Sequence, residues 1–460
     1  MPGKIRGLPD RPNRGLRILT AFVRAFQTPD LRKKLLITLG LIALFRLGAS
    51  LPTPGISEKN VAFCSNAATA AGSSSAGVLA IVNLLSGQAL LRLSVFALGI
   101  MPYITASIIL QLLTVVIPRL ETLKQEGQAG QAKITQYTRY LTVGLAVLQS
   151  TGYVELARSG TLFNSCGASG SANPLIPNGS VFTIATMVIT MVAGTTVIMW
   201  MGELITDRGV GNGMSVLIFT TVISVIPGEI LAIYRVKGAF YAAVALVVVV
   251  AIIAFIVFME QAQRRIPVQY AKRMVGRRMY GGTSTYIPMK VNQAGVIPVI
   301  FASSLLYIPT LAAQLFGNQT HPQGWVSWVA RYVEQSSSPL YMLSFFLLII
   351  GFTYFYVSIT FNPTEVADNM KKYGGFIPGI RPGRPTAEYL QYVLSRLTAP
   401  GSVYLGIIAL FPLVALSAAG VANQFPFSGI SLLIMVGVGL DTVKQIESQL
   451  QQRNYEGFLR

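Results

Sequence analysis

Long apolar runs recur from one end of the chain to the other, and polar segments separate them. A helix needs about 20 apolar residues to cross the hydrocarbon core of a membrane. We therefore predict ten transmembrane helices, which we number as spans 1 to 10. In chain order the spans cover residues 35–51, 97–117, 140–157, 181–204, 213–232, 239–259, 293–315, 340–360, 398–419 and 425–440. Span 10 is the shortest apolar run, and we expect its helix to continue past Asp441 into the polar tail.

The composition agrees with this pattern. The 460 residues are 52% hydrophobic and 12% charged, whereas an average soluble protein carries roughly 25% charged residues. Mean hydropathy is +0.56. These values exclude a disordered chain, a collagen, a secreted disulfide scaffold and an ordinary soluble enzyme. The fold class that they predict is an all-α polytopic membrane protein.

The distribution of Lys and Arg predicts the orientation of the spans. If the N-terminus is inside, 29 of the 36 Lys and Arg residues fall in inner segments and six in outer segments. Such a bias marks the cytoplasmic side of a membrane protein, so we expect both termini to be cytoplasmic. The remaining cation, Arg46, lies near the outer end of span 1, where we expect its side chain to snorkel to the interface.

Spans 2 and 7 contain an internal repeat. The segments 99–107 and 295–303 share Gly, Pro, Ile, Ala and Ser at five equivalent places. Each copy is the second span of its half if the spans divide five and five, and the two copies run in opposite directions. This pattern predicts an inverted repeat with halves 1–238 and 239–460, and a functional site near the midplane between them. The alternative is chance similarity, because small residues and Pro are common in membrane helices.

The outer segment 52–96 holds a second apolar stretch, Gly77 to Leu85, that is too short to cross the membrane. It is either a re-entrant or half-length helix, which needs shelter from lipid, or an apolar patch of an external loop.

Groups that carry catalysis, metal binding or ion coupling are missing from the middle of the spans. The ionisable residues within the spans, Arg46, Glu155, Glu203 and Glu229, lie near span ends. We find no catalytic triad, paired intramembrane aspartates or nucleotide-binding loop, and we expect no cofactor and no metal. The competing classes are an inverted-repeat secondary transporter, which lacks an ion-coupling residue here, and a membrane enzyme, which lacks a catalytic set.

The inner loops 260–292 and 361–397 are long and basic. Their Lys and Arg clusters could face anionic headgroups, RNA phosphates or an acidic protein groove, or could simply retain the loops on the inner side. Simple retention does not explain Arg381, which Pro and Gly residues present on a rigid turn.

Several blocks of the sequence, in this order, resemble the bacterial SecY family, the central subunit of the Sec protein-conducting channel. The most specific blocks are Ser94 to Ile104, Lys133 to Tyr140, Arg208 to Gly213, Arg264 to Arg273 and Gly375 to Gly383. The resemblance implies a passive channel in the cytoplasmic membrane, not an enzyme. Such a channel passes unfolded secretory proteins across the membrane and releases transmembrane helices laterally into it.

The resemblance also implies the parts of the channel. A plug helix corresponds to about 77–90, and spans 2 and 7 form a lateral gate. The apolar pore ring falls on Ile100, Ile104, Met214, Ile218, Ile300 and Ile434. The lateral gate residues are Gln111, Asn292, Ser107 and Ser303, with Gln111 and Asn292 as a weak polar latch. Met214 departs from the family, which usually has a branched aliphatic residue there.

The partners implied by the resemblance are SecE-like and SecG-like small subunits, the motor ATPase SecA, the ribosome, signal sequences, nascent polypeptides and the lipid bilayer. Docking of the motor or of the ribosome would use exposed cations of the inner loops. These are Arg264, Arg265, Lys272, Arg273 and Arg381.

The two cysteines, Cys64 and Cys166, both fall in predicted outer segments, where a disulfide is chemically permitted. One hypothesis is a bridge between the loop before the plug and the loop after span 3, and the alternative is two unrelated thiols.

Overall fold

The structure is a computed structural model that describes residues 29–70, 86–87, 89–159, 174–270, 273–275, 278–280, 284–316, 324–329, 332–333, 338–418 and 429–456. Its elements are, in chain order, α1 (Pro29–Ser50), α2 (Glu58–Ala70), α3 (Met101–Val116), α4 (Pro118–Gln125), α5 (Gln128–Ser159), α6 (Val181–Arg208), α7 (Gly213–Lys237), α8 (Ala239–Gln261), β1 (Gln263–Tyr270), β2 (Arg273–Val275), β3 (Arg278–Tyr280), β4 (Ser284–Lys290), α9 (Ile297–Phe316), α10 (Gly324–Val329), α11 (Pro339–Thr360), α12 (Pro363–Lys372), β5 (Gly375–Phe376), α13 (Arg384–Ala418) and α14 (Gly429–Glu456).

Each predicted span corresponds to a helix. Spans 1 to 10 match α1, α3, α5, α6, α7, α8, α9, α11, α13 and α14, and α14 continues past Asp441 as expected. Within the described residues, length and hydropathy alone qualify five of these helices for crossing a membrane: α6, α8, α11, α13 and α14. Helices α3 and α4 together qualify as a sixth span, bent by 105°. Helices α7 and α9 each contain an internal proline, Pro227 and Pro309, and their apolar stretches, Gly213–Gly228 and Ile297–Leu306, are shorter than a full span.

The helices pack in the same order in both halves of the chain. In the first half α3 packs on α5, α5 on α6 and α6 on α7, while α1 packs on α6 and, less extensively, on α7. In the second half α9 packs on α11, α11 on α13 and α13 on α14, while α8 packs on α14. Across the halves, α7 contacts α8 and α14, and α9 contacts α3 and α5. The only residue between α7 and α8 is Gly238, with φ 91° and ψ 176°.

The two copies of the sequence repeat have the same local backbone. Gly99 and Gly295 both adopt the left-handed region, with φ values of 57° and 63°, which glycine enters without steric cost. In each copy the helix begins two residues later, at Met101 and Ile297. The repeat is therefore a structural one at this position, not only a similarity of composition.

The inner loops are folded, which the sequence analysis did not predict. Strands β4, β1 and β5 form an antiparallel sheet in that order, and β2 pairs with β3. Helix α13 begins at Arg384, well before the predicted start of span 9 at residue 398, and α5 begins at Gln128, well before residue 140. Hydropathy marks where a helix leaves the membrane, and it says nothing about how far the helix continues into water.

Candidate functional site

All six residues of the predicted ring belong to the main hydrophobic cluster, which draws residues from both halves of the chain. Helices α7, α9 and α14 carry four of them, Ile104 lies in α3, and Ile100 immediately precedes α3. The buried members are Ile100, Ile218, Ile300 and Ile434, with exposures of 3%, 6%, 7% and 1%. Ile104 and Met214 are half-buried and pack against the same cluster. These side chains face the interior and not the lipid, and they offer no polar group to a passing molecule.

Met214 occupies the second position of α7, close to α6. A side-chain carbon added to Gly202 of α6 would overlap the Sδ atom of Met214, so the two helices approach here with only glycine between them. The side chain of Met214 is thus held against α6, a helix of the same half of the chain.

Arg46 binds an interior helix instead of snorkelling. Its Nη2 donates a hydrogen bond to the backbone carbonyl of Thr220 in α7 at 2.7 Å and a longer one to that of Thr221 at 3.5 Å. A side-chain carbon at Gly87 would stand 3.2 Å from Arg46 Nη1, so the described end of the plug region reaches the same guanidinium. The expectation of an interfacial side chain was wrong, because two carbonyls of the bundle interior satisfy this cation. A charged group turned inward from a membrane helix marks a functional position.

The gate helices α3 and α9 are in contact, but the predicted latch between Gln111 and Asn292 is not formed. Gln111 is exposed, whereas Asn292 is buried and donates from Nδ2 to Glu260 Oε1 at 2.5 Å and to the carbonyl of Gly295 at 3.2 Å. Asn292 lies just before α9, beside the end of α8, and this brings Glu260 closer than Gln111. Ser107 is half-buried in α3.

Ser303 is buried and bonds within its own helix. Its Oγ donates to the carbonyl of Ile300, a ring residue, at 2.9 Å. Because the Ser303 hydroxyl donates within α9, it does not donate a hydrogen bond across the contact between α3 and α9.

Most of the predicted plug segment, 77–90, lies outside the described residues. At its end, Ser86 and Leu90 are buried, and the backbone N–H of Leu90 donates to Ser86 Oγ at 3.2 Å. Leu90 belongs to the same hydrophobic cluster as the ring.

The two basic loops that the sequence predicts on the inner side form one folded unit, which we call the cytoplasmic platform after that prediction (residues 262–291 and 361–397, where described). Strand β5 of the second loop pairs with β1 of the first through Gln269–Phe376 and Tyr270–Gly375. Beneath the sheet, buried Ile266 and Val268 pack in one cluster with Ile377. The sequence contained a signal for this unit, since apolar and polar residues alternate along β1.

The predicted docking cations lie on this platform as far as the structure describes them. Arg264 and Arg265 are exposed on β1, and Arg265 stacks over the ring of Tyr286 on β4 at 4.9 Å. Lys272 lies outside the described residues, and Arg273 begins β2.

Arg381 is exposed on a tight turn of the same platform. Glycines with positive φ flank it, Gly379 at 83° and Gly383 at 104°. Thr386 Oγ1 donates to the carbonyl of Arg381 at 2.9 Å, which fixes the turn against the start of α13. The turn is therefore rigid and its cation faces outward, as the sequence predicted.

On the opposite side of the spans, Cys64 of α2 is fully buried and disulfide-bonded. Cys166, the other cysteine of the chain, lies outside the described residues. Asn60 Nδ2 also donates to the carbonyl of Pro174 at 2.8 Å. The hypothesis of a bridge is supported over that of two unrelated thiols.

Comparisons with known proteins agree with the resemblance. The SecY family profile matches residues 94–443. The protein translocase subunit SecY of Streptomyces galbus is 62% identical over 451 residues, which cover 96% of this chain and 100% of that protein. That of Mycobacterium tuberculosis is 57% identical over 452 residues, with the same two coverages of 96% and 100%.

Solved structures share the fold at low identity. A protein-conducting channel has a TM-score of 0.59 at 17% identity, covering 91% of this chain and 92% of its own. Sec61 in the canine ribosome-channel complex has a TM-score of 0.56 at 16% identity, with coverages of 91% and 92%. The yeast Ssh1 complex bound to the 80S ribosome has a TM-score of 0.60 at 14% identity, with coverages of 95% and 94%.

Proposed function

Because this chain belongs to the SecY family, we propose that its apolar ring is the seal of the protein-conducting channel that the chain forms. The observation that carries the proposal is that six aliphatic or thioether side chains from both halves of the chain belong to the main hydrophobic cluster, with Ile100, Ile218, Ile300 and Ile434 buried in it. A narrow apolar constriction excludes water and ions by dewetting. It also makes no hydrogen bonds that would hold an unfolded polypeptide in transit.

The lateral gate of this channel is the contact between α3 and α9. The polar residues assigned to it, Gln111, Asn292, Ser107 and Ser303, are uncharged. Asn292 and Ser303 bond elsewhere than across the gate, and an interhelical hydrogen bond of such a group would contribute only about 1 kcal/mol. Such a contact can open and close. Once it is open, each Leu, Ile or Phe of a signal sequence gains about 0.3–0.6 kcal/mol by entering the centre of the membrane.

The cytoplasmic platform is the docking site for the partner that drives transport. The ribosome is supported by solved relatives of this fold, which are ribosome-bound channels. Exposed Arg264, Arg265 and Arg381 supply the cations that RNA phosphates require. The motor SecA is the alternative occupant of the same surface, and SecE-like and SecG-like subunits complete the assembly.

The chain spans the bacterial cytoplasmic membrane with both termini inside, and it has no catalytic role. The excess of Lys and Arg in the inner segments supports this orientation. Halves 1–238 and 239–460 are inverted repeats, which is supported by the matched packing order of their helices and by the shared backbone at Gly99 and Gly295. A secondary transporter is not favoured, because the spans lack a mid-membrane carboxylate for ion coupling.

The test is site-specific crosslinking to a secretory polypeptide arrested during export. Photoreactive residues replace Ile104 or Ile300 of the ring, and the matched control replaces Leu343 of α11, which is 56% exposed on the outer surface of the bundle. We expect crosslinks from the ring positions and none from Leu343. Crosslinks from Leu343 with none from the ring would refute the proposal.

A further inference from the structure

Glu260 and Asn292 form a buried acid–amide pair at the base of the gate helix. Their exposures are 8% and 3%, and Asn292 Nδ2 donates to Glu260 Oε1 at 2.5 Å. In the described part of the chain, no Lys or Arg nitrogen lies within 4.0 Å of the Glu260 carboxylate. Burial of a carboxylate costs several kcal/mol unless it is paired. The Asn292 amide is therefore its principal hydrogen-bond donor.

The pair joins the cytoplasmic platform to the gate. Glu260 stands at the end of α8, three residues before β1 begins, and Asn292 stands between the end of β4 and α9. The β1–β4 ladder continues up to the pair, since the backbone N–H of Val291 donates to the carbonyl of Ala262 at 3.0 Å. The segment that enters α9 is thus fixed to the sheet by backbone bonds and to α8 by a side-chain bond.

Neighbouring helices leave this segment little room. A side-chain carbon added to Gly401 of α13 would overlap the carbonyl oxygen of Val291, so two backbones are in direct contact there. On another side, Lys290 Nζ lies 3.6 Å from Asp441 Oδ1 of α14. Displacement of the sheet must therefore move the start of α9, since the connecting segment cannot absorb it.

The pair is also incompletely satisfied. Asn292 Oδ1 is buried and accepts no hydrogen bond from the described residues, which is unfavourable for a buried acceptor. The amide of Asn292 is therefore held through its donor nitrogen, by Glu260 and by the carbonyl of Gly295.

We propose that the Glu260–Asn292 pair is the joint through which docking on the cytoplasmic platform repositions α9 and opens the lateral gate. Both residues are positioning residues that act through α9. The inference rests on the proposed function, in that it takes the platform as the docking site and the α3–α9 contact as the gate.

The experiment measures docking and gate opening separately in the full channel complex. Spin labels at Val115 of α3 and Leu305 of α9, both exposed, report the distance across the gate with and without purified ribosomes. Because the native cysteines are bonded, they do not take up thiol-reactive labels. Glu260→Met removes the acceptor while filling the same space, and Glu260→Gln keeps an acceptor. Glu260→Met leaves the buried Asn292 amide without this acceptor, so equal amounts of folded, inserted complex are verified for every variant before the label distances are read.

We expect ribosome binding to shift the gate distance in the wild type and in Glu260→Gln. In Glu260→Met the shifted fraction falls at least fivefold, while ribosome affinity stays within twofold of the wild type. The matched control Glu365→Met, at an exposed glutamate of α12, responds like the wild type. Asn292→Leu, which removes the donor, reproduces Glu260→Met, and the two changes together are no worse than either alone.

Three results would overturn the inference. A wild-type response in Glu260→Met, a parallel loss of ribosome affinity, or additive effects of the two changes would each show that the pair is not the joint. A wild type that binds ribosomes without any change in gate distance would refute the proposed function itself, and this outcome is read from the wild type alone.

Discussion

The seal should fail when the apolar ring is opened. We consider the simultaneous replacement of Ile100, Ile104 and Ile300 by glycine. A water-filled passage must wet these side chains, and exposing a buried Ile costs about 2 kcal/mol. With this value for each of the buried residues Ile100 and Ile300, and about 1 kcal/mol for half-buried Ile104, the free energy of wetting all three side chains is about 5 kcal/mol. At about 1.4 kcal/mol per factor of ten, this is a shift of roughly three to four orders of magnitude towards the wetted state.

The remaining ring members limit the effect, so we expect a resting ion leak at least about 100-fold above the wild type. The assay is dye-reported ion flux in vesicles with equal amounts of inserted protein. The matched control places three glycines at Leu44, Val247 and Leu343, which are 52%, 66% and 56% exposed on the outer surface. It carries at least the loss of helix propensity of the ring variant, about 1 kcal/mol per helical glycine, since Ile104 and Ile300 are helical and Ile100 caps α3.

Ile300→Asn provides a second variant, which keeps a side chain at the ring position and adds a polar group that water can wet. Leak within twofold of the wild type in both variants, with insertion shown, would refute the sealing role of the ring. The reasoning would fail equally if the exposed-surface control leaked as much as the ring variant.

Three further predictions follow from polar contacts. Arg46→Leu removes a charge-assisted hydrogen bond worth about 1.5–3 kcal/mol to the turn of α7 that follows Ile218. We expect about tenfold more leak in the same flux assay, and a smaller increase in Arg46→Lys. Arg381→Glu reverses an exposed cation on a rigid turn and should lower protein export into vesicles at least tenfold while insertion stays normal. Arg139→Ala breaks a two-bond ion pair to Glu203, with both bonds at 2.8 Å, and should lower the free energy of unfolding by about 1 kcal/mol, measured by denaturation in detergent.

Each of these has a control and an opposing outcome. Arg92 is an exposed cation of an outer segment, and a leak in Arg92→Leu equal to that in Arg46→Leu would mean that net charge, and not the bond to α7, matters. For the platform, Arg396→Glu tests whether any charge reversal suffices, and equal export defects would remove the special role of Arg381. Unfolding of the Arg139 variant at the wild-type free energy would show that the pair contributes nothing.

The positions of the spans were predictable because the membrane acts on every residue of a span. Runs of apolar residues located all ten helices, and the recurrence around Gly99 and Gly295 located the structural repeat. The cytoplasmic ends were not predictable in this way. Helix α13 begins 14 residues before its apolar run, because polar residues can continue a helix into water.

Polar partners were the least predictable part of the site. Asn292 was expected to bond Gln111 across the gate, but the packing of α8 beside the entry to α9 supplied Glu260 instead. Arg46 was expected at the interface, but the carbonyl of Thr220 was within reach. The sequence shows which residues need a hydrogen bond, whereas their partners depend on tertiary packing. Strand β5 has two residues and no periodicity to detect.

The connection at Gly238 has a mechanical consequence. Its φ and ψ values fall in a region that is accessible essentially to glycine alone, and a rigid helix leaves it on each side. Under the proposed division into halves 1–238 and 239–460, rotation of one half against the other would pivot on this single residue. Displacement in such a rotation grows with distance from the pivot, so a small rotation at Gly238 produces a wide separation at the edge farthest from it.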